Sequence, residues 1–361
     1  MVGILSLTNA ENYGAVLQSL ALCYYLNSEI DDAEVIDYTP MFMIGRYRCL
    51  GYSGNTLKEK LISLLNNIII LPICLKKKLR FYAFKKKYIT MSKKKYLGRI
   101  DEDLYDKYIV GSDQIWNLEL TNNDDYFFLC FVNSDLKKYS YAASIGVKEL
   151  SEEQKNEFRK YINGFQGISV REKTADRILR ELVTKKKIHT HIDPVFLLDK
   201  GNWKRFASPK KIDEEYVIIY TFVDFTKALK IARETGLKIY SIHNSYKGKL
   251  SDVKSVPAVG PAEFLSLIMN AQYVVTDSFH GMAFSILFNK QFTVIPYMKT
   301  ESRMLDLLEE LNLQDRVYSD EHNSANLIDY TNVNEIIQKK VNEANMYLRG
   351  IVYSEYPYNA N

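Results

Sequence analysis

The chain has 361 residues, 47% hydrophobic and 25% charged, the balance of an ordinary globular protein and too long for a single core, so two domains are expected. The longest apolar run, 61–75, is interrupted by Asn66, Asn67 and Pro72 and is too short to span a bilayer. The net charge of +4 hides a block, Lys76 to Lys95, with ten Lys/Arg and no acid, which leaves 38 basic against 44 acidic residues elsewhere.

The first residues, Met1 to Leu7, run straight into a strand-like segment without a basic leader or cleavage site, so no secretory signal is expected. Apolar strands then alternate with amphipathic helices, the pattern of α/β architecture with parallel sheets. In the first half the strands are expected at Gly3–Leu7, Glu34–Tyr38, Tyr108–Val110, Tyr139–Ala142, Gly167–Val170 and His189–Ile192. Helices are expected over Asn12–Leu26, Glu152–Gly164 and Glu172–Leu182. Residues 41–100 break the rhythm and read as a basic insertion. Next to the 61–75 run, the lysine block fits a solvated helical face, the favoured reading, or peripheral contact of residues 61–95 with an anionic membrane. No nucleic-acid motif accompanies it, and nucleic acid is not an expected partner.

A second alternating series follows the stretch Lys200–Lys211, which reads as the linker between a domain of residues 1–200 and one of 210–361. Its strands are expected at Tyr216–Phe222, Leu237–Ile242, Tyr273–Val275 and Phe292–Ile295, its helices at Lys227–Thr235, Pro261–Asn270 and from Met282. A last helix, Asn334–Arg349, is expected to pack back on the first domain. The expected architecture is two Rossmann-like domains facing a cleft. The cysteines, at 23, 49, 74 and 130, form no CxxC pair and read as reduced cytosolic thiols; no metal motif is visible.

Four loops follow expected strands and would open into the cleft. In the first, Gly14 permits close backbone approach and Asn12 or Tyr13 can bind hydroxyl groups, with a capping role for Asn12 the alternative. Neither GxGxxG nor a Walker loop is present there. In the second, Ser112, Asp113 and Gln114 lie beside Trp116, polar groups and an aromatic face that suit a sugar, or a simple helix start. The third ends a strand on Arg171, a bidentate partner for carboxylate or phosphate, or for Glu172 or Asp176. The fourth, Thr276-Asp277-Ser278-Phe279-His280-Gly281, sets an imidazole at a helix start that can seat an anion; the alternative is a satisfied structural histidine.

Together, Asn12-Tyr13-Gly14-Ala15, Gly111 to Trp116, Ser169 to Glu172, Asp193 to Leu198 and Thr276 to Gly281 resemble the polysaccharide pyruvyl transferase family, in its order. The resemblance implies a GT-B-like pair of Rossmann-like domains. It implies transfer of a pyruvyl unit from phosphoenolpyruvate to two hydroxyls of a sugar, free or lipid-linked, in a polysaccharide or its precursor, with no metal or other cofactor. It implies His280 as proton donor, Arg171 as donor clamp, and Asp277 as the partner of the histidine or of an acceptor hydroxyl. Several members carry an arginine where this chain has Ser278, so Ser278, Phe279, Gly281 and Arg303 are expected to complete the donor site with Arg171. A nucleotide-sugar glycosyltransferase in the same frame, or a non-catalytic carbohydrate- or membrane-binding relative, are the alternatives. The implied place of action is the cytoplasm or the inner membrane face.

Overall fold

The computed structural model describes residues 1–46, 49, 57–101, 104–183, 186–242, 250–297, 301–319 and 326–353. Two five-stranded sheets, parallel throughout, organise the chain. The first contains β1 (Val2–Leu5), β2 (Ala33–Tyr38), β3 (Met91–Tyr96), β4 (Lys107–Val110) and β5 (Lys138–Ser140), in the order β3-β2-β1-β4-β5. The pair β6 (Ile168–Val170) and β7 (Ile188–Thr190) continues it, since Tyr139 bridges to Gly167 and Ala143 to Val170. The second contains β8 (Tyr216–Tyr220), β9 (Lys238–Ser241), β10 (Val253–Ser255), β11 (Tyr273–Thr276) and β12 (Gln291–Val294), ordered β10-β9-β8-β11-β12. Both are doubly wound, and strand order reverses between β1 and β4 and between β8 and β11. Such reversals leave crevices at the carboxyl ends of the strands, where the candidate loops lie.

The helices are α1 (Tyr13–Glu29), α2 (Met41–Arg46), α3 (Leu57–Tyr88), α4 (Leu118–Thr121), α5 (Glu152–Ile162), α6 (Lys173–Leu182), α7 (Lys200–Phe206), α8 (Phe225–Glu234), α9 (Pro261–Asn270), α10 (Phe279–Leu287), α11 (Glu301–Glu310) and α12 (Tyr330–Tyr353). Helix α1 is buried from Tyr13 to Cys23 on every face, because it lies between the first sheet and the second domain. Val16 and Leu20 belong to one apolar core with Phe264 of α9 and Met282 of α10. The domains therefore share a core instead of meeting across a polar seam. Helix α12 runs back to the first domain, where the Tyr347 hydroxyl donates to the Ser140 carbonyl (3.0 Å) and Arg349 to the Glu29 carbonyl (2.8 Å).

Three expectations are corrected. Residues 41–100 are no insertion: α3 is the crossover and β3 the edge strand of the first sheet, although 47–48 and 50–56 lie outside the described residues. Lys93, Lys94 and Lys95 hid the strand, since lysine on an exposed edge blocks further pairing while breaking the apolar pattern. Lys200–Lys211 is no slack linker; α7 buries Trp203 completely, with its Nε1 donating to the Val195 carbonyl (2.9 Å) and its ring edge-on to Phe284. Cys49 and Cys74 are joined in a disulfide, leaving Cys23 and Cys130 free. Nothing in their spacing signals the pair.

Truncating Trp203 to Ala would leave a void where both domains meet. The expected loss is about 3–5 kcal/mol, read as a lower urea midpoint, whereas Trp203→Phe, which keeps a ring to pack on Phe284 and loses the hydrogen bond to Val195, should cost less, about 1–3 kcal/mol.

Candidate active site

The site is built around one buried carboxylate. Asp193 follows β7, and its Oδ1 caps the short turn Pro194–Leu197 by accepting from the Val195 N–H (3.1 Å). Its Oδ2 accepts from Arg171 Nη1 (2.5 Å) and from the Ser112 hydroxyl (3.0 Å), and lies 3.7 Å from His280 Nε2. Arg171 follows directly on β6; its guanidinium lies over the Phe279 ring (4.3 Å), with Glu172 at 3.7 Å and Asp113 at 4.0 Å. Arg171, Asp193, Phe279 and Arg303 line a narrow cleft of about 20 Å³.

His280 is held from both domains. Ser278 caps α10 by accepting from the Gly281 N–H (3.3 Å), which places His280 in the first turn of the helix. Gly14, in the first turn of α1, approaches the ring so closely that a Cβ there would lie 2.0 Å from Nδ1. Gly281 is needed for packing of the same kind, since a Cβ would meet the Thr276 hydroxyl at 2.4 Å.

The electrostatics are set by burial and by the charges that surround these groups. Burial lowers the pKa of His280, Arg171 and Arg303 lower it further, and Asp193 and Asp113 oppose them. Burial, then Arg171, pushes Arg303 down to about 10. Burial alone would raise Asp193, but His280 and Arg171 hold its carboxyl below the usual range. Arg171 Nε and Nη2 and His280 Nε2 are buried without a hydrogen-bond partner among the described residues. Arg171 Nε faces the likewise unpartnered Glu172 Oε2 at 3.7 Å, and its Nη2 stands 4.0 Å from Asp113.

The expected site residues divide. Arg171, Phe279 and Arg303 line the cleft, His280 stands beside it facing Asp193, and Asp113 lies 4.0 Å from Arg171; Ser112 is no acceptor-binding group, because it is fully buried and its hydroxyl donates to Asp193. Asp277 does not orient the histidine: its carboxylate accepts from Thr221 Oγ1 and from the N–H groups of Phe222 and Val223 (2.5–3.0 Å), tying the loop after β8 to that after β11. Tyr13 is no hydroxyl-binding group, because its ring stacks on Phe264 (4.4 Å) and its hydroxyl donates to the Val259 carbonyl (2.9 Å). Trp116 is no sugar platform; it is fully buried, stacks on Phe128 and donates to the Phe127 carbonyl (3.1 Å). The Gly281 N–H is occupied by the Ser278 cap and is not an open donor. Asn12 caps α1 through Ala15 N yet stays exposed, and Gln114 accepts from Asn117.

Two groups near the cleft were not expected as site residues. Asp193 stood in a motif that carried the family resemblance, and an aspartate before a proline at a strand end reads as a cap. His191 also lines the cleft and shares a hydrogen bond with the Ser169 hydroxyl (2.8 Å), while burial, then His189 and Lys340, lowers its pKa to about 3. The period-two pattern around β7 marks it only as part of a strand.

Two doubly wound α/β domains meet at this cleft, the GT-B-like arrangement, and its lining carries Arg171, Arg303 and Lys340 together with Asp193, Asp306 and Glu310. The sequence profile of the family described as "Polysaccharide pyruvyl transferase" matches residues 12–299. The chain belongs to the polysaccharide pyruvyl transferase family and is a transferase. No curated protein matches it. Among solved structures, it is similar to S. aureus MnaA in a co-structure with UDP (10% identity, 99% of this chain and 92% of that one, TM-score 0.48). It is also similar to the UDP-GlcNAc 2-epimerase from Methanocaldococcus jannaschii (14% identity, 98% and 99% covered, TM-score 0.45). The Neisseria meningitidis UDP-GlcNAc 2-epimerase is a further likeness (11% identity, 99% and 95% covered, TM-score 0.43).

Both His191 and His280 have pKa values below the ordinary imidazole value, so the unfolded chain takes up protons more readily than the native one. Stability should be full above about pH 6.5 and fall as the pH drops toward 5, by up to about 1.4 kcal/mol per pH unit for each histidine. Urea unfolding across that window should show the slope reduced in His191→Gln. Separately, Gly14→Ala should displace the His280 ring and lower activity on the order of a hundredfold, since misplacing a reacting group by about 1 Å costs that much.

Proposed function

We propose that the protein transfers a pyruvyl unit from phosphoenolpyruvate to two hydroxyls of one sugar, forming a cyclic ketal and releasing phosphate. The observation that carries this reading is the pair of buried arginines, Arg171 and Arg303, at one cleft beside His280, with Arg171 Nε and Nη2 lacking an acceptor within hydrogen-bond distance. A donor bearing both carboxylate and phosphate would satisfy those atoms and relieve the mutual repulsion of the two arginines. Arg303, reaching in from α11, takes the place of the arginine that other members of the family carry at the position of Ser278.

The same charge prepares the acid. His280 is biased toward its neutral form by burial and by both arginines. An incoming anion offsets the arginine field and favours the imidazolium, so the proton arrives with the substrate. His280 delivers it to the methylene carbon of phosphoenolpyruvate, and the adjacent carbon becomes oxocarbenium-like. One sugar hydroxyl adds there and gives up its proton, which can restore His280. The second hydroxyl then forms the other C–O bond, loses its proton and closes the ring as phosphate departs. Asp193 holds Arg171 and faces the histidine throughout. Asn12, Asp113 and Gln114 are assigned to the acceptor sugar at the mouth of the cleft.

Phosphate release from phosphoenolpyruvate should depend on a galactose-, mannose- or N-acetylhexosamine-containing acceptor. His280→Ala should lower kcat by about 10²–10⁴, the usual contribution of a general acid. Arg303→Met should chiefly raise KM for phosphoenolpyruvate, by roughly tenfold or more for a lost charged hydrogen bond. Absence of release with every acceptor, together with stabilisation by a nucleotide sugar, would replace this reading with glycosyl transfer.

A further inference from the structure

Helix α3 has two faces of opposite character. Its inner face buries Phe81 and Phe84, sends Arg80 to the Ala258 carbonyl (2.6 Å) and sends Lys85 to the Asn9 side chain (2.8 Å). Its outer face carries Ile68, Leu75, Leu79 and Tyr82, which are 63%, 47%, 66% and 62% exposed, with Pro72 exposed between the first two. These five residues are spaced by fours and threes, so they form one stripe along the helix. Lys76 and Lys86 share the face by the same spacing and, with Lys87, are exposed. An apolar stripe left in water is unfavourable and marks a contact surface.

We infer that the outer face of α3 docks on an anionic lipid surface, the helix lying in the plane of the headgroups. Charge selects this occupant. No acid occurs from Lys76 to Lys95, and the rest of the chain is net acidic, so this stretch concentrates positive charge beside the stripe. The exposed Lys93, Lys94 and Lys95 of β3 follow α3 directly in the chain. A second copy of the chain seated on the stripe would align lysines with lysines, which opposes pairing. Among the described residues, no helix is long and apolar enough to cross a membrane, which leaves the interfacial mode: apolar side chains and a tyrosine among the acyl boundary, lysines at the phosphates.

The test is vesicle flotation with phosphatidylglycerol–phosphatidylcholine liposomes against pure phosphatidylcholine. It compares the full chain with Leu75→Glu/Leu79→Glu and with Lys76→Gln/Lys86→Gln/Lys87→Gln. The wild type should partition to the anionic vesicles roughly tenfold more than to the neutral ones, and each variant should lose that preference with an unchanged melting temperature. The proposal is overturned if the wild type does not float, if it binds both vesicles equally, or if both variants bind as it does. A concentration-dependent dimer that Leu75→Glu/Leu79→Glu dissolves in light scattering would assign the stripe to a second copy instead. None of these readouts involves pyruvyl transfer, so failure here leaves the proposed reaction untouched.

Discussion

The carboxylate of Asp193 is fully buried, and a buried charge is stable only when its surroundings answer it completely. Here the answers come from separate parts of the chain: Ser112 after β4, Arg171 after β6, the N–H of Val195 just beyond, and the imidazole of α10 across the cleft. The carboxyl end of the first sheet, the passage into the second domain and the start of α10 are thus referred to one atom pair. If the aspartate were lost, Arg171 would keep its burial and lose its closest counter-charge, and the two arginines would repel with less to restrain them.

The shared core explains how such a cluster can be held. Domains that meet through polar, hydrated surfaces move relative to each other by default. In this protein α1 is apolar on all sides because a domain lies on each side of it, and Gly14 brings its first turn against His280. The histidine is therefore positioned by steric contact from one domain and by helix geometry from the other. The cleft keeps its arginines close together, and Asp193, Glu172 and Asp113 offset part of their repulsion.

Much of this was legible in the chain, for reasons that differ by residue. A strand with an unbroken apolar run, such as Tyr216–Tyr220, announces itself, and so does α9 with proline at its first position. Edge strand β3 does not, because its lysines serve the edge and not the core. Arg171 and His280 stand out because a charged or titratable group at the end of a buried strand or the start of a helix is unusual. Trp116 and Tyr13 mislead for the opposite reason: an aromatic residue beside polar loop residues resembles a sugar platform until its hydrogen-bonding tip is seen to be engaged inside the protein. Asp277 and Asp193 could not be told apart in this way. Both are acidic residues following a strand, and only the fold decides which faces the histidine.

The return of α12 to the first domain has a consequence for biosynthesis. Tyr347 and Arg349 complete contacts with Ser140 and Glu29, so residues made early wait for partners made late. During translation the first sheet can pair its strands, yet the surface that α12 covers stays open until the whole second domain has emerged from the ribosome. The nascent chain thus spends most of its synthesis with an incomplete amino-terminal half, the interval in which chaperone binding would matter most.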